Sequence, residues 1–117
     1  MSRNYIQVFT TTEKREDARK IAGEVVKGKL VACAQVLGPI TSTFWWKNKI
    51  DEAEEWLLIM KTRDDLYSEL ERVIRENHPY EVPEIIATPV VSGYRGYLDW
   101  IDREVKTGEM QSKESGS

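Results

Sequence analysis

The chain has 117 residues, enough to bury one hydrophobic core but too few for two independent ones. Hydrophobic residues make up 40% and charged residues 32%, a balance that argues against disorder of the whole chain. A formal net charge of −3 supplies no field to draw in a polyanionic backbone, so nucleic acid is a poor ligand class. Cys33 is the only cysteine, which excludes an intrachain disulfide and fits a reducing compartment. Met1-Ser2-Arg3-Asn4 leads directly into strand-like residues with no apolar stretch, so the expected location is cytoplasmic.

Tyr5 to Thr11 is rich in β-branched and aromatic residues, with Ile6 and Val8 on one face and Tyr5, Gln7 and Phe9 on the other; this predicts the first strand. From Glu13 to Gly28 the period lengthens, since Ala18, Ile21, Ala22, Val25 and Val26 recur at helical spacing. Thr11 or Thr12 is the expected N-cap and Gly28 the expected stop. Leu30 to Leu37 is apolar apart from Gln35, Gly38-Pro39 bends the chain, and Ile40 to Trp46 is extended again. Lys47-Asn48-Lys49 reads as a hairpin turn into Ile50 to Thr62, a strand that starts polar and ends apolar. Asp64 is the expected cap of a second helix with Leu66, Leu70, Val73 and Ile74 inward, ended by His78-Pro79. Pro83 opens a fourth strand, Glu84 to Val91, expected to be buried on both faces. Ser92-Gly93 precedes a helix carrying Tyr94, Tyr97, Leu98, Ile101 and Val105. The plan is one domain over residues 1–106 and a disordered polar tail over 107–117.

This order, strand-helix-strand-strand-helix-strand plus a helix, predicts an α+β fold: a ferredoxin-like βαββαβ sandwich with a long hairpin and both crossover helices on one sheet face. Trp56 to Met60 is apolar at every position, although successive residues of a strand point to opposite faces. Both faces must therefore be covered. A second copy of the chain is the expected cover, with the C-terminal helix folding under the sheet as the alternative.

There is no phosphate-binding glycine loop, no paired-cysteine knuckle and no helical His-Glu-x-x-His, and we read the chain as a non-enzyme. His78-Pro79-Tyr80-Glu81-Val82-Pro83-Glu84 gathers the only histidine, two prolines, a tyrosine and two carboxylates into one rigid connection. His78 is either a metal or proton-carrying imidazole or a packed side chain bonded to a backbone carbonyl. Cys33, between two alanines, is expected as a small buried hydrophobe. Trp45 and Trp46 sit beside a lysine-flanked turn, where they bind a ligand or anchor a neighbouring subunit. Lys61 ends a buried strand and calls for an acidic partner, Glu55 or Glu84.

Leu30-Val31-Ala32-Cys33-Ala34, Ser42-Thr43-Phe44-Trp45-Trp46-Lys47, Met60-Lys61-Thr62, His78 through Ile86 and Tyr97-Leu98-Asp99-Trp100-Ile101 resemble, in order, the successive blocks of the CutA divalent-cation-tolerance family. The resemblance runs from Tyr5 to Val105. It implies a homotrimer similar to PII-like signalling proteins, tolerance to divalent cations with copper the metal usually named, and a ligand pocket between subunits. Some bacterial members carry a cysteine late in strand one and a His-His pair before the proline; here Thr10 and Asn77 replace the cysteine and the first histidine, leaving His78. The thiolate that would select Cu(I) is thus missing. Trp46, Glu55, Lys61, His78, Tyr80, Pro83 and Glu84 match without substitution and form the expected intersubunit cleft, with His78 as the metal residue. The alternative implied function is a regulator that binds a small anionic metabolite through Lys61.

Overall fold

The computed structural model describes residues 4–107; the expected polar tail lies outside the described residues from position 108 onward. The elements are β1 (Tyr5–Thr12), α1 (Arg15–Lys27), β2 (Cys33–Trp46), β3 (Lys49–Arg63), a 3-10 turn (Asp64–Leu66), α2 (Tyr67–Asn77), β4 (Ile86–Val90) and α3 (Arg95–Glu104). The four strands form one antiparallel sheet in the order β2-β3-β1-β4, the ferredoxin-like order expected.

Strand parity sets which side chains meet the helices. Ile6, Val8, Leu58 and Met60 point to one face, where they pack with Ile21 and Val25 of α1 and Leu70 and Ile74 of α2. Fully burying each such side chain contributes roughly 1.5–3 kcal/mol, so this layer supplies most of the hydrophobic driving force. On the far face α3 covers one end, with Leu98, Ile101 and Val105 against Tyr5 and Leu66. Of the two sequence-based expectations for that face, the C-terminal helix folding under the sheet is seen in part. The helix shields the Tyr5 end, while Phe9, Leu57 and Ile59 further along remain only half-buried and Ile86 is 53% exposed.

β2 and β3, of 14 and 15 residues, run about two and a half times the length of a typical strand and give the domain its long axis of 48 Å. Lys47 and Asn48 turn the hairpin, both with positive φ, as the Asn48 expectation required. Four local expectations are corrected. Neither Thr11 nor Thr12 caps α1: Lys14 holds the N-cap position, and Thr12 donates its hydroxyl proton to the Lys14 carbonyl. The expected stop holds: Gly28 is the C-cap of α1, at negative φ, and Lys29 after it adopts the left-handed conformation. Asp64 opens a 3-10 turn without capping it, because its carboxylate accepts from Asn4. β4 begins at Ile86, not Glu84, and is largely exposed along its length. Cys33 is half-buried on the far face, not sealed in the core.

α3 is tied down by charge as well as by packing. Arg63 is 2% exposed and donates twice to Asp65 (2.9 and 3.2 Å), once to Asp102 (3.3 Å) and once to the Lys106 carbonyl (3.0 Å). Burial works against its charge, but the two carboxylates outweigh that and push its pKa up. The Tyr5 hydroxyl donates to the same Asp102 at 2.6 Å.

Candidate functional site

Beyond the end of β1, the outer part of the β2-β3 hairpin meets the connection that follows α2. A register shift between Leu37 and Ile40 forms a bulge at Gly38-Pro39. Gly38 has φ of +152°, and a Cβ there would lie 2.9 Å from the Trp56 ring and 3.1 Å from the Glu55 carbonyl. The glycine therefore lets Trp56 lie flush against β2. The Arg15 guanidinium stands over that ring at 5.7 Å from its centroid.

Beside Trp56, Glu55 is 7% exposed and accepts a 2.7 Å hydrogen bond from the Tyr80 hydroxyl. Burial and this bond raise the Tyr80 pKa, so the phenol stays protonated and Glu55 stays its acceptor. Tyr80 is itself held by His78. The Tyr80 backbone N–H donates to Nδ1 of His78 at 3.1 Å, and Nε2 lies 2.9 Å from the Thr11 carbonyl. A carbonyl only accepts and an amide N–H only donates, which assigns the proton to Nε2 and makes the ring neutral. Burial lowers the His78 pKa in keeping with this, partly opposed by the Thr11 carbonyl, Asp17 and Glu55. His78 to Tyr80 to Glu55 is thus a chain of contacts that fixes one carboxylate on the edge of the far face.

These contacts bear on metal. Both His78 nitrogens are already engaged, so a metal at Nδ1 must displace the Tyr80 amide. Thr10, at the family's cysteine position, is fully buried with its hydroxyl unpartnered, and Asn77 donates to the Val73 carbonyl. Among the described residues no group of three or more His, Cys, Asp or Glu could hold a metal ion. The described residues of one chain therefore do not fit a closed metal centre.

The structure brings together three of the expected site residues: His78, Tyr80 and Glu55. Pro83 is half-buried in the same connection and Glu84 is exposed. Trp46 stands at the hairpin tip under the Lys47 ammonium, 5.9 Å from its ring. Lys61 lies apart. It shares a face with Glu55, but six residues along one strand separate them by about 20 Å. The expected pairing with Glu55 or Glu84 is not seen; the Lys61 ammonium bonds the side-chain oxygen of Gln35. Gln35, Trp56 and the Thr11 carbonyl were not singled out from the sequence. Gly38-Pro39 inside a strand was the available signal for the bulge, whereas the tertiary contacts of Gln35 and Thr11 had none.

The sequence pattern described as "CutA1 divalent ion tolerance protein" matches residues 6–104. The chain belongs to the CutA1 family. It is 37% identical to the divalent-cation tolerance protein CutA of Archaeoglobus fulgidus over 99 residues, covering 85% of this chain and 96% of that one. It is also 37% identical to the chloroplastic protein CutA 1 of Oryza sativa over 101 residues, 86% of this chain but 57% of that one. The chain thus spans little more than half the length of this plant relative. Solved structures agree: CutA1 from Oryza sativa superposes with a TM-score of 0.87 at 35% identity, covering 90% of this chain and 96% of that one. The Thermus thermophilus protein gives 0.85 at 35% identity, with 87% and 99% covered. No helix among the described residues is long and apolar enough to cross a membrane.

Proposed function

We propose that this chain is a cytoplasmic divalent-cation-tolerance protein that works as a homotrimer and acts by binding, without catalytic turnover. The observation that carries the reading is the match to the CutA1 family over residues 6–104. The architecture supports the assembly. β2 and β4 are the two edges of the sheet, each with an unpaired row of backbone groups, so head-to-tail pairing of one copy's β2 with the next copy's β4 leaves no edge when the ring closes. The half-buried far face, with Phe9, Leu57 and Ile59, is covered by the same step.

Because the described residues of one copy do not supply a closed metal centre, a divalent cation, copper included, is held where copies meet, with His78 and the neighbouring Glu55 facing the cleft. Trp46, Lys61, Tyr80 and Glu84 line the same clefts in this reading. The test is thermal unfolding with copper, zinc and a panel of phosphorylated metabolites, with mass measured by light scattering. A ligand that binds only the folded state raises the midpoint with the logarithm of its concentration. A trimer stabilised by a divalent cation supports the proposal. A monomer, or a trimer stabilised by metabolite and not by metal, overturns it and moves the function to an anion-binding regulator using Lys61.

A further inference from the structure

The buried hydrophobic residues form two separate clusters. The larger lies between the sheet and the pair α1 and α2, and no residue of α3 belongs to it. The smaller, on the far face, joins Leu98, Ile101 and Val105 to Tyr5 and Leu66, with Ala32 packed against it. α3 can therefore part from the sheet without opening the larger cluster. Its two ends are held differently. Residues 91–94, which lead into it, are all exposed, and among the described residues no backbone hydrogen bond ties Ser92 or Gly93 to the body of the domain. Past its last turn the chain is fastened. The Lys106 N–H donates to the Lys29 carbonyl at 2.9 Å, its ammonium to Glu69 at 2.7 Å, and its carbonyl accepts from Arg63. A free joint at one end and a polar latch at the other make a strap.

The latch can part without stranding a charge. Arg63 keeps both bonds to Asp65 when α3 leaves, and Asp102, already 29% exposed, is rehydrated. Beneath the closed strap lies the one thiol of the chain. Cys33 is half-buried next to Ala32, and the Tyr97 phenol of α3 stands within hydrogen-bond reach of it; burial and then this thiol raise the Tyr97 pKa. We propose that α3 swings as a unit about residues 91–93 and gates the Cys33 thiol, while the helix layer on the opposite face stays folded. Opening uncovers Tyr5, Ala32 and Leu66 together with the thiol and leaves the packing of α1 and α2 in place.

Labelling of Cys33 by dithiobis-nitrobenzoate in the folded full chain tests the strap, because so bulky a disulfide reaches the thiol only when Tyr97 has moved away. The parent is expected to label at least about a hundredfold slower than the urea-unfolded chain. Arg63→Met is expected to speed labelling at least about thirty-fold, and the milder Tyr5→Phe, which loses the 2.6 Å bond to Asp102, about fivefold. Ile74→Val loosens the larger cluster and lowers global stability, yet is expected to change the rate less than about twofold. A parent that labels as fast as the unfolded chain overturns the strap, and so does a rate that Arg63→Met leaves unchanged. An Ile74→Val effect as large as that of Tyr5→Phe overturns it too, since global unfolding would then expose the thiol. So does a rate that falls as protein concentration rises, since access would follow separation of copies. Should Arg63→Met not fold, Tyr5→Phe and Lys106→Met, which removes the Glu69 pair, carry the same comparison against Ile74→Val.

Discussion

Replacing Arg63 by methionine isolates the ionic latch of α3. Methionine keeps most of the apolar stem but removes four hydrogen bonds, two to Asp65, one to Asp102 and one to the Lys106 carbonyl. Removing one partner of a buried ion pair costs roughly 3–5 kcal/mol. Asp65 and Asp102 keep 38% and 29% of their side-chain surface in water, which lets them rehydrate and places the expected loss at the lower end, about 3 kcal/mol. For a domain of this size that lowers the thermal midpoint by about 15 °C. The loss is expected to be local. Without Arg63, α3 keeps Leu98, Ile101 and Val105, the Tyr5–Asp102 hydrogen bond and the Lys106–Glu69 pair, so its amides should exchange faster with solvent while those of β1 and β3 change less. Denaturant unfolding gives the first number and hydrogen exchange the second. A loss below about 1 kcal/mol, or a larger loss spread evenly over the sheet, would refute the idea that Arg63 is what holds α3.

Four further outcomes are expected. Gly23 lies within α1 with open space around the position of a Cβ, so Gly23→Ala is expected to add about 0.5–1 kcal/mol in a urea titration. Thr10→Val removes a fully buried hydroxyl that has no partner and keeps its shape, which is expected to stabilise by about 1 kcal/mol; a loss instead would show that the hydroxyl is satisfied in the folded protein. Gly38→Ala drives a methyl group into Trp56 at a positive φ and is expected to cost about 2 kcal/mol or more by thermal midpoint, loosening the backbone at Glu55. His78 gives a pH signature. Its folded pKa is lowered, so the unfolded chain binds the proton more readily; stability is full above the ordinary imidazole value of about 6.5 and falls as pH drops below it. Comparing urea midpoints at about pH 7.5 and 5.5 should show that component in the parent and not in His78→Gln.

Strand parity and helical period, being local, were enough to place β1, the β2-β3 hairpin, α1 and the inward faces of both crossover helices. What they missed depends on groups distant in sequence. Asp64 has the chemistry of a cap, but Asn4, 60 residues earlier, occupies its carboxylate. β4 looks buried from composition, yet as an edge strand it is exposed in a single copy. Strand parity puts Lys61 and Glu55 on one face and says nothing of the distance between them. For His78 the packed reading drawn from the sequence is the one observed: the ring bonds a backbone carbonyl and sits one contact from a buried carboxylate. The Arg63 latch was not legible, because nothing in the order of residues ties position 63 to position 102.

The most direct test of the account is a calorimetric titration of copper and zinc into the protein and into His78→Ala, with mass measured by light scattering in the same buffer. The expected result is a trimer that binds a divalent cation in stoichiometric amount, with binding weakened at least tenfold in the variant. A monomer, or a trimer that takes up neither metal, would contradict it.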